Sequence, residues 1–283
     1  MHLLTKRSVL ESFERVKTSR LSEFRQGMPT WCPGCGHYSP LQGLYESLTR
    51  LKIQKKDFVL VSGIGCSSRM PFFVEGYGLH GLHGRALPIA TGVKLANPAL
   101  TVVVAGGDGD GIGIGGGHLP HVARYNFDLT YLLMDNSIYG LTKGQTSPTS
   151  PMGMVSGTSP YGNFAQPLNP AFLALAYGAT FVARAFSAER DLVTDLIVKA
   201  MQHRGFSIIH LVSPCVEFNR KVTYDEVRSR VKRLPDDYQP NHRMRALEMA
   251  GSEDPIYEGL LFQEDRPSFE DNRKASLKKI KPA

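Results

Sequence analysis

Short apolar runs alternate with amphipathic stretches through the middle of the chain. Five runs of five or six residues are mostly apolar and carry no Asp, Glu, Lys or Arg: 58–62, 100–105, 129–134, 179–183 and 207–212. Each is preceded by a stretch with the apolar spacing of a helix: 40–51, 89–95, 118–125, 170–177 and 189–204. Strands of this length that alternate with helices predict βαβ units. We therefore expect an α/β fold, a parallel sheet with helices on both faces.

The two ends of the chain lack this alternation. Residues 1–28 form a charged, weakly amphipathic arm, and the composition changes to glycine, cysteine and small apolar residues just after it. From residue 221 onward the chain is charged, and no further strand of the same kind is predicted. The pattern predicts an N-terminal arm at 1–28, a main domain at 29–220 and a C-terminal extension at 221–283. The extension either wraps a partner subunit or packs on the outside.

The composition is that of a globular protein. The chain has 283 residues, of which 42% are hydrophobic and 21% charged, so it can form one large core. It contains no apolar run of the roughly 18 residues that a membrane span needs. The N-terminus also lacks the apolar core of a signal peptide, so we expect a cytoplasmic protein without a membrane partner. In that reducing compartment, the four cysteines are more often metal ligands or catalytic groups than disulfides.

The formal net charge of +7 comes from the two ends. Residues 1–25 and 266–283 hold an excess of bases, whereas acids and bases balance in between. A balanced main domain argues against a nucleic-acid interface. The basic ends act either as solvated tails or as an attraction for an acidic partner.

One candidate site joins an acid and an amide at two strand ends. Asp108 lies between two glycines after the run 100–105, and Asn136 follows the run 129–134. Ligand-binding groups of open parallel sheets lie at the carboxyl ends of strands. Carboxylate and amide oxygens suit Mg²⁺, which takes its remaining ligands from water and from substrate phosphates. If the two strands are neighbours, their ends lie about 5–10 Å apart, close enough to share one ion.

The glycines that follow offer a competing interpretation. Gly111, Gly113 and Gly116 match the G-x-G-x-x-G pattern of dinucleotide sites, and Asp135 stands where a ribose-binding acid belongs. In that fold, however, the first glycine comes directly after the strand. Here Gly106 and the two residues after it intervene, which makes a nicotinamide site the weaker interpretation.

All four cysteines form the second candidate site. Two come from a C-x-x-C loop, and two follow separate predicted strands: Cys32, Cys35, Cys66 and Cys215. Such a set can supply four soft ligands to an iron–sulfur cluster or to zinc. The alternative is unrelated buried thiols together with a redox pair.

Several segments resemble one known family in matching order. They are CPGCGH, SGIGCSSR, LHGRALPIATGVKLANP, GGDGDGIGIGGGHL and DNSIYGLTKGQTSPTS, within residues 31–219. They are similar to the β subunit of 2-oxoacid:ferredoxin oxidoreductases, most closely the 2-oxoglutarate type. The resemblance implies the thiamin diphosphate-binding fold, one [4Fe–4S] cluster held by the four cysteines, and Mg²⁺.

The resemblance also assigns the cofactor residues. Asp108 and Asn136 would hold Mg²⁺ through their side chains, and Ile138 through its backbone carbonyl. The general thiamin diphosphate signature, which the spacing of Asp108 and Asn136 resembles, usually has two asparagines where Asp135 and Asn136 stand; this departure keeps the presumed ligand. The remaining residues implied to surround thiamin diphosphate are Gly107, Gly109, Asp110, Tyr139, Gly140 and Leu141.

Substrate contacts are implied for two cations. An anionic 2-oxoacid needs positive groups in its pocket, and the resemblance places Arg69 and Lys143 against substrate carboxylates. Each could instead form a surface ion pair. Two histidines, His37 and His83, are further candidates for bonds to the diphosphate or the substrate. His80 and Arg85 belong to the same motifs, and their roles stay open.

The resemblance implies a complete reaction and its partners. Thiamin diphosphate attacks the 2-oxo carbon, carbon dioxide leaves, the cluster passes single electrons to ferredoxin, and coenzyme A collects the acyl group; the reaction is reversible. The chain shows no second thiamin domain, so we expect activity only with an α subunit, in an (αβ)₂ assembly. The uncharged segment 144–183 would cover the site or pack at a subunit interface.

Other functions stay open at this point. Within the class, the substrate could be pyruvate or a branched-chain 2-oxoacid. From another class, the chain could be a non-catalytic cysteine-metal protein that carries electrons or responds to redox state. Iron, sulfide and thiamin contents discriminate between these classes.

Overall fold

The computed structural model describes residues 22–279, and within them eight strands form one sheet. Residues 1–21 of the predicted arm therefore lie outside the described residues. The strands are β1 Phe58–Ser62, β2 Tyr77–His80, β3 Thr101–Gly107, β4 Leu129–Asp135, β5 Phe181–Phe186, β6 Phe206–Val212, β7 Val231–Arg233 and β8 Ile256–Gln263. The α-helices are α1 Tyr38–Arg50, α2 Ala86–Ala96, α3 Leu119–Tyr125, α4 Pro170–Ala176, α5 Arg190–Gln202, α6 Tyr224–Arg230, α7 Arg243–Gly251 and α8 Phe269–Leu277.

The predicted parallel sheet is confirmed at its centre. The strand order is β2-β1-β3-β4-β6-β5-β8-β7, and every pair from β2 to β5 is parallel. The five apolar runs form β1, β3, β4, β5 and β6. Because each central strand is covered on both faces, each can be a nearly continuous apolar run.

Alternate residues of the strands enter two separate cores. In β1, Val59 and Val61 pack in the core beneath α2, α3, α4 and α7, whereas Phe58 and Leu60 pack in the core beneath α1 and α5. This is the two-residue period of a strand. Burial on both sides gives the sheet a rigid centre, on which the loops at its carboxyl edge are mounted.

Two strands follow residue 221, although the sequence shows no further apolar run there. Strand β8 pairs antiparallel with β5, and β7 extends the sheet beyond it. Strand β8 contains a buried acid, Glu258, and a glycine with φ +136°, Gly259, so it is not the apolar run that the sequence pattern recognises. The sheet is consequently mixed rather than purely parallel.

A further strand was not predicted at the opposite edge. Strand β2 pairs with β1, and all four of its residues are exposed. A short edge strand without a buried face has no apolar periodicity to reveal it.

The helix ends follow local rules. Helix α4 begins where the side chain of Asn169 accepts a hydrogen bond from the backbone N–H of Phe172, with Pro170 in the first turn. Ser268 and Asp271 form a reciprocal capping box at the start of α8. Within residues 22–279, no helix is both long and apolar enough to cross a membrane.

The topology collects the predicted chemistry at one edge. Parallel strands β1, β3, β4 and β6 end on the same side of the sheet. The loops that leave these ends carry Cys66, Asp108, Asn136 and Cys215. The candidate residues therefore face one region of the molecule, as the strand pattern predicted.

Candidate functional site

The acid and the amide of the first candidate site lie on neighbouring strands. Gly107 of β3 is paired with Met134 of β4, so Asp108 and Asn136 leave the sheet side by side. Both side chains line a cavity of about 190 Å³. Other predicted cofactor residues line the same cavity: Gly107, Gly109, Asp110, Ile138, Tyr139, Gly140 and Leu141. The structure thus brings all of them to one place.

Hydrogen bonds hold the Asn136 loop in shape. The side-chain oxygen of Asn136 accepts a bond from the backbone N–H of Ile138 at 3.2 Å. From the other side, Asn219 donates to the backbone oxygen of Asn136 at 2.9 Å. Asn219 lies just beyond the last cysteine and was not predicted as a site residue. Its bond connects the loop after β6 to the loop of the candidate metal ligand Asn136.

Two buried carboxylates lie close together at this edge. The hydroxyl Oγ1 of Thr149 lies 2.8 Å from Oδ2 of Asp108 and 2.7 Å from Oδ1 of Asp135. Burial, together with the charge of Asp135, raises the pKa of the Asp108 carboxyl to about 7. A dry site that disfavours the charged form of a carboxylate suits a divalent cation, because the cation restores the balance of charge. The donors present therefore fit Mg²⁺.

Asp135 is stabilised as an anion by its own partners. Although burial opposes ionisation, the hydrogen bond with His210 at 2.9 Å holds the pKa of Asp135 below its usual range. Burial lowers the pKa of His210, which leaves its ring neutral. Asp135 is thus a structural acid beside the candidate metal ligands Asp108 and Asn136.

Asp110 ties three loops together. One of its oxygens, Oδ1, accepts bonds from the backbone N–H groups of Ile64 at 3.0 Å and Gly84 at 2.7 Å, and lies 2.9 Å from Nδ1 of His83. The other oxygen, Oδ2, is buried without a hydrogen-bond partner among the described residues. An unpaired buried oxygen in a cavity wall is costly unless a ligand satisfies it.

The competing glycine motif does not sit as a dinucleotide site requires. Strand β3 ends at Gly107, and a π-helical turn, Gly109–Ile114, follows directly. The first motif glycine, Gly111, lies inside this turn rather than at the end of the strand. The geometry therefore disfavours the nicotinamide interpretation.

The four cysteines line a second cavity. Its volume is about 250 Å³, and Cys32, Cys35, Cys66 and Cys215 all contribute to its wall. In the described part of the chain, no group of three or more His, Cys, Asp or Glu side chains is spaced to hold a single metal ion. Zinc needs four sulfurs about 2.3 Å from one point. The thiols that line this cavity are the soft ligands that an iron–sulfur cluster takes.

Two glycines make the convergence of the cysteine loops possible. A Cβ on Gly36 would stand 2.6 Å from the backbone carbonyl carbon of Ser213, so only glycine lets the C-x-x-C loop pack against the strand exit before Cys215. A Cβ on Gly140 would stand 3.4 Å from the sulfur of Cys66 and 3.7 Å from that of Cys215. The loop after β4 therefore lies directly against two of the thiols.

Two of the four thiols, those of Cys35 and Cys66, strongly favour their protonated form. Burial, reinforced by the neighbouring cysteines, raises the pKa of Cys35 to about 12 and that of Cys66 to about 11. Metal ligation requires thiolates, so loading a cluster would release protons from this pocket.

The two cavities share a wall. Cys66, Asn136, Gly140 and Leu141 line both of them. A group held in the first cavity would therefore lie next to a cluster held in the second.

The cations and histidines divide between the cavities. Arg69 and Lys143 line the cysteine cavity, whereas His37 and His83 line the cavity of Asp108. Burial lowers the pKa of His37 to about 4, so its ring is neutral, and its Nδ1 has no hydrogen-bond partner among the described residues.

The two remaining motif residues have protein partners. Nδ1 of His80 lies 3.0 Å from the hydroxyl of Ser62. Arg85 contacts Nε2 of His118 through Nη1. The structure therefore gives both residues a local bonding role.

Two residues at the site, Thr149 and Asn219, were not predicted, and neither were His210, which bonds Asp135, and Arg184, which bonds His210. Thr149 belongs to the quoted motif QTSPTS, but nothing in its spacing reveals a contact with Asp108. Arg184 and His210 are paired in register on β5 and β6. A buried arginine next to a buried histidine within apolar strands was the available signal.

Comparisons with known proteins agree with this geometry. Residues 63–211 match the family model described as thiamine pyrophosphate enzyme, C-terminal TPP binding domain. Residues 215–278 match the model for the C-terminal part of the pyruvate ferredoxin oxidoreductase beta subunit. The loops that carry Cys66, Asp108 and Asn136 fall within the first match, and Cys215 is the first residue of the second.

Individual relatives are similar over most of the chain. The beta subunit of 2-oxoacid:ferredoxin oxidoreductase 2 from Aeropyrum pernix is 39% identical over 270 residues, 91% of this chain and 86% of that protein. The KorB subunit of 2-oxoglutarate oxidoreductase from Mycobacterium tuberculosis is 48% identical over 189 residues, 67% of this chain, and this match spans 51% of that relative.

A solved structure is also similar. It is a 2-oxoglutarate:ferredoxin oxidoreductase from Magnetococcus marinus with 2-oxoglutarate, coenzyme A and succinyl-CoA bound, with a TM-score of 0.90 and 45% identity. The match covers 92% of this chain and 90% of that chain.

Proposed function

Because this chain belongs to the family of 2-oxoacid:ferredoxin oxidoreductase β subunits, we propose that it binds thiamin diphosphate, Mg²⁺ and one [4Fe–4S] cluster in the oxidation of 2-oxoglutarate. The reaction converts 2-oxoglutarate and coenzyme A to succinyl-CoA and carbon dioxide, reversibly, with electrons passed to ferredoxin.

The shared wall of the two cavities carries this proposal. When bound, thiamin diphosphate supplies the carbanion chemistry for cleavage beside a 2-oxo carbon, and the cluster accepts electrons singly. Asp108 and Asn136 would hold Mg²⁺ through their side chains, with the carbonyl of Ile138. Gly107 and Gly109 let the backbone approach a diphosphate closely. Because the two cavities share a wall, the two groups would lie next to each other.

The cysteine cavity also supplies positive charge. Arg69 and Lys143 line it together with Leu141, which belongs to both cavities. We assign these two cations to the carboxylates of the substrate, where a guanidinium binds in two bonds and an ammonium as a point charge. The neutral ring of His37 and the ring of His83 line the cofactor cavity, where they are candidates for bonds to the diphosphate or the substrate.

A β subunit needs other subunits. We propose that the thiamin site and the coenzyme A site are completed by an α subunit, in an (αβ)₂ assembly. Free thiols in all four cysteines suit a reducing compartment, which supports a cytoplasmic location.

The first experiment measures content and activity of the αβ complex, purified without oxygen. We expect one thiamin diphosphate and four iron and four sulfide ions per β subunit. Reduction of a viologen or ferredoxin should require both 2-oxoglutarate and coenzyme A. Cys215→Ser should lose iron and electron transfer. Zinc without thiamin in the wild-type complex would refute the proposal.

The second experiment tests the substrate. Lys143→Ala should lower kcat/KM for 2-oxoglutarate by about tenfold or more, because a charge-assisted contact contributes about 1.5–3 kcal/mol. Pyruvate, which lacks the second carboxylate, should be affected less. Lys199→Ala, an exposed lysine of α5, is the matched control and should change neither value. Equal losses for both substrates would contradict the role of Lys143.

A further inference from the structure

The segment after Gly144 packs on both metal-ligand loops. Ser150 is fully buried, and its hydroxyl donates to the backbone oxygen of Ser137 at 2.7 Å. The backbone N–H of Ser147 donates to the same hydroxyl at 2.8 Å. Thr149 is thereby fixed between the loops that follow β3 and β4, although it lies far from both in sequence.

The hydroxyl of Thr149 sits between two carboxylates. It lies 2.8 Å from Oδ2 of Asp108 and 2.7 Å from Oδ1 of Asp135, and the threonine is only 7% exposed. A hydroxyl carries one proton and two lone pairs, so it cannot donate fully to both acids. The two carboxylates therefore compete for one donor, and the acid that has other donors needs it less.

Asp135 has other donors. The backbone N–H of Ser137 donates to its Oδ1 at 2.9 Å, and His210 bonds its Oδ2 at 2.9 Å. Asp135 is therefore satisfied without Thr149. For Asp108, the bond from Thr149 fixes one oxygen and leaves the other for a cation.

His210 is itself fixed by a second hydrogen bond, from Arg184. Its Nδ1 accepts a bond from Nε of Arg184 at 3.4 Å, so its other nitrogen carries the proton that it donates to Asp135. Arg184 is anchored in turn by the backbone oxygen of Ala250 at 2.8 Å. A continuous chain of buried bonds thus runs from α7 to Asp135 and its neighbour Thr149.

We propose that Thr149 is a positioning residue for the metal site: its hydroxyl, anchored beside Asp135, orients the Asp108 carboxylate for Mg²⁺. This inference rests on the proposed function, because it assumes that Asp108 is a metal ligand. It adds Thr149, whose hydroxyl contacts the metal ligand Asp108 directly. The segment 144–183 would then do more than cover the site.

The test compares variants of the αβ complex, purified without oxygen and stripped of thiamin diphosphate. Thr149→Val and Thr149→Ala both remove the hydroxyl, and Thr149→Ser keeps it. The measurement is calorimetric binding of thiamin diphosphate over a series of Mg²⁺ concentrations. Thermal unfolding and iron content are followed in parallel. Thr158→Val is the matched control, because Thr158 is exposed in the same segment and bonds only Ser156.

Loss of the hydroxyl should raise the half-saturating Mg²⁺ concentration by about 10–100-fold, the usual cost of losing a group that orients a metal ligand. Excess Mg²⁺ should restore binding, and iron content should not change. Thr149→Ser should stay within about threefold of wild type, since it keeps the donor. A merely structural role would lower the unfolding temperature without changing the Mg²⁺ dependence.

Three results would overturn the inference. The first is an unchanged Mg²⁺ dependence in whichever of Thr149→Val and Thr149→Ala folds. The second is a Thr149→Ser variant as impaired as Thr149→Val, which would show that the methyl group matters. The third is a wild-type complex that retains no thiamin diphosphate at any Mg²⁺ concentration, which would refute the proposed function as well.

Discussion

Two regions of the molecule bury charged side chains in opposite ways. At the carboxyl edge of the sheet, Asp110 and His37 each keep a buried polar atom without a partner among the described residues. In the second region, the join, β5 packs against the C-terminal segment through β8 and α7. There, Arg184 donates to His210, Ala250, Asn169 and Tyr257. These two atoms at the edge leave bonding capacity for a ligand, whereas Arg184 uses its donors within the protein.

The acids show the same contrast. Glu258 of β8 is buried, but one oxygen accepts a bond from the backbone N–H of Phe186 at 2.9 Å and the other lies 3.3 Å from Arg233. Asp108 instead shares the hydroxyl of Thr149 with Asp135. An unsatisfied buried polar group costs about 1–3 kcal/mol. The edge therefore lowers the stability of the free chain, and the join supports it.

The largest effect is expected from breaking the join. Arg184→Met should lower the free energy of unfolding by about 1–3 kcal/mol for each buried acceptor that it leaves without a donor, here Nδ1 of His210 and the backbone oxygen of Ala250. Urea unfolding followed by circular dichroism measures this loss. Arg190→Met, at an exposed arginine, is the control. A loss below about 1 kcal/mol would contradict the structural role of the join.

Replacing the Asp108 carboxylate at the edge should not destabilise the free chain, in contrast to Arg184→Met. Asp108→Asn should weaken retention of thiamin diphosphate with Mg²⁺ by more than about 100-fold, because a metal ligand contributes more than the groups that orient it. The cofactor-free protein should unfold at the same or a higher temperature, since one of two adjacent buried acids is gone. Calorimetry and thermal unfolding test both parts. Destabilisation of the free chain would show that Asp108 belongs to the scaffold.

A smaller effect is expected where the two cavities meet. A Cβ on Gly140 would make ordinary contacts with the sulfurs of Cys66 and Cys215, at 3.4 and 3.7 Å, so Gly140→Ala should fold. The added methyl group lies in the space between those sulfurs and the cofactor cavity. We expect partial loss of iron with a smaller loss of thiamin diphosphate, measured by metal and cofactor analysis.

The matched control for this variant is Gly92→Ala in α2. An added Cβ there meets no atom within 4 Å, so the helix should be unchanged or slightly more stable. Full cluster content in Gly140→Ala would contradict the close packing of this loop against a bound cluster.

The same contrast explains how much could be predicted. The five central strands follow from their apolar runs, and the edge residues follow from the rule that sites lie at strand ends. The join does not follow from the sequence pattern. Strand β5 was predicted to end at Ala183, because the charged Arg184 interrupts the apolar run. The hydrogen-bond partners of Arg184 include residues of β6, α7 and β8, which are distant in the sequence. Thr149 likewise acts through a contact between distant segments, which spacing along the chain cannot reveal.

The smallest effect should come from a histidine at the join. Nε2 of His203 lies 2.8 Å from the hydroxyl of Thr180, and burial lowers the pKa of His203 below its usual value. The unfolded chain therefore binds a proton at a higher pH than the folded chain does. The stabilising contribution of the neutral His203 ring is complete above the unfolded pKa of about 6.5 and declines as the pH falls below it.

His203→Gln, which does not titrate, should show a smaller loss of unfolding free energy between pH 7.5 and pH 5.5, roughly the range over which His titrates. His121→Gln, at an exposed histidine, should behave like wild type. Retention of thiamin diphosphate should be the same in all three proteins, because His203 belongs to the join. A change in retention for His203→Gln alone would break the distinction between the two regions.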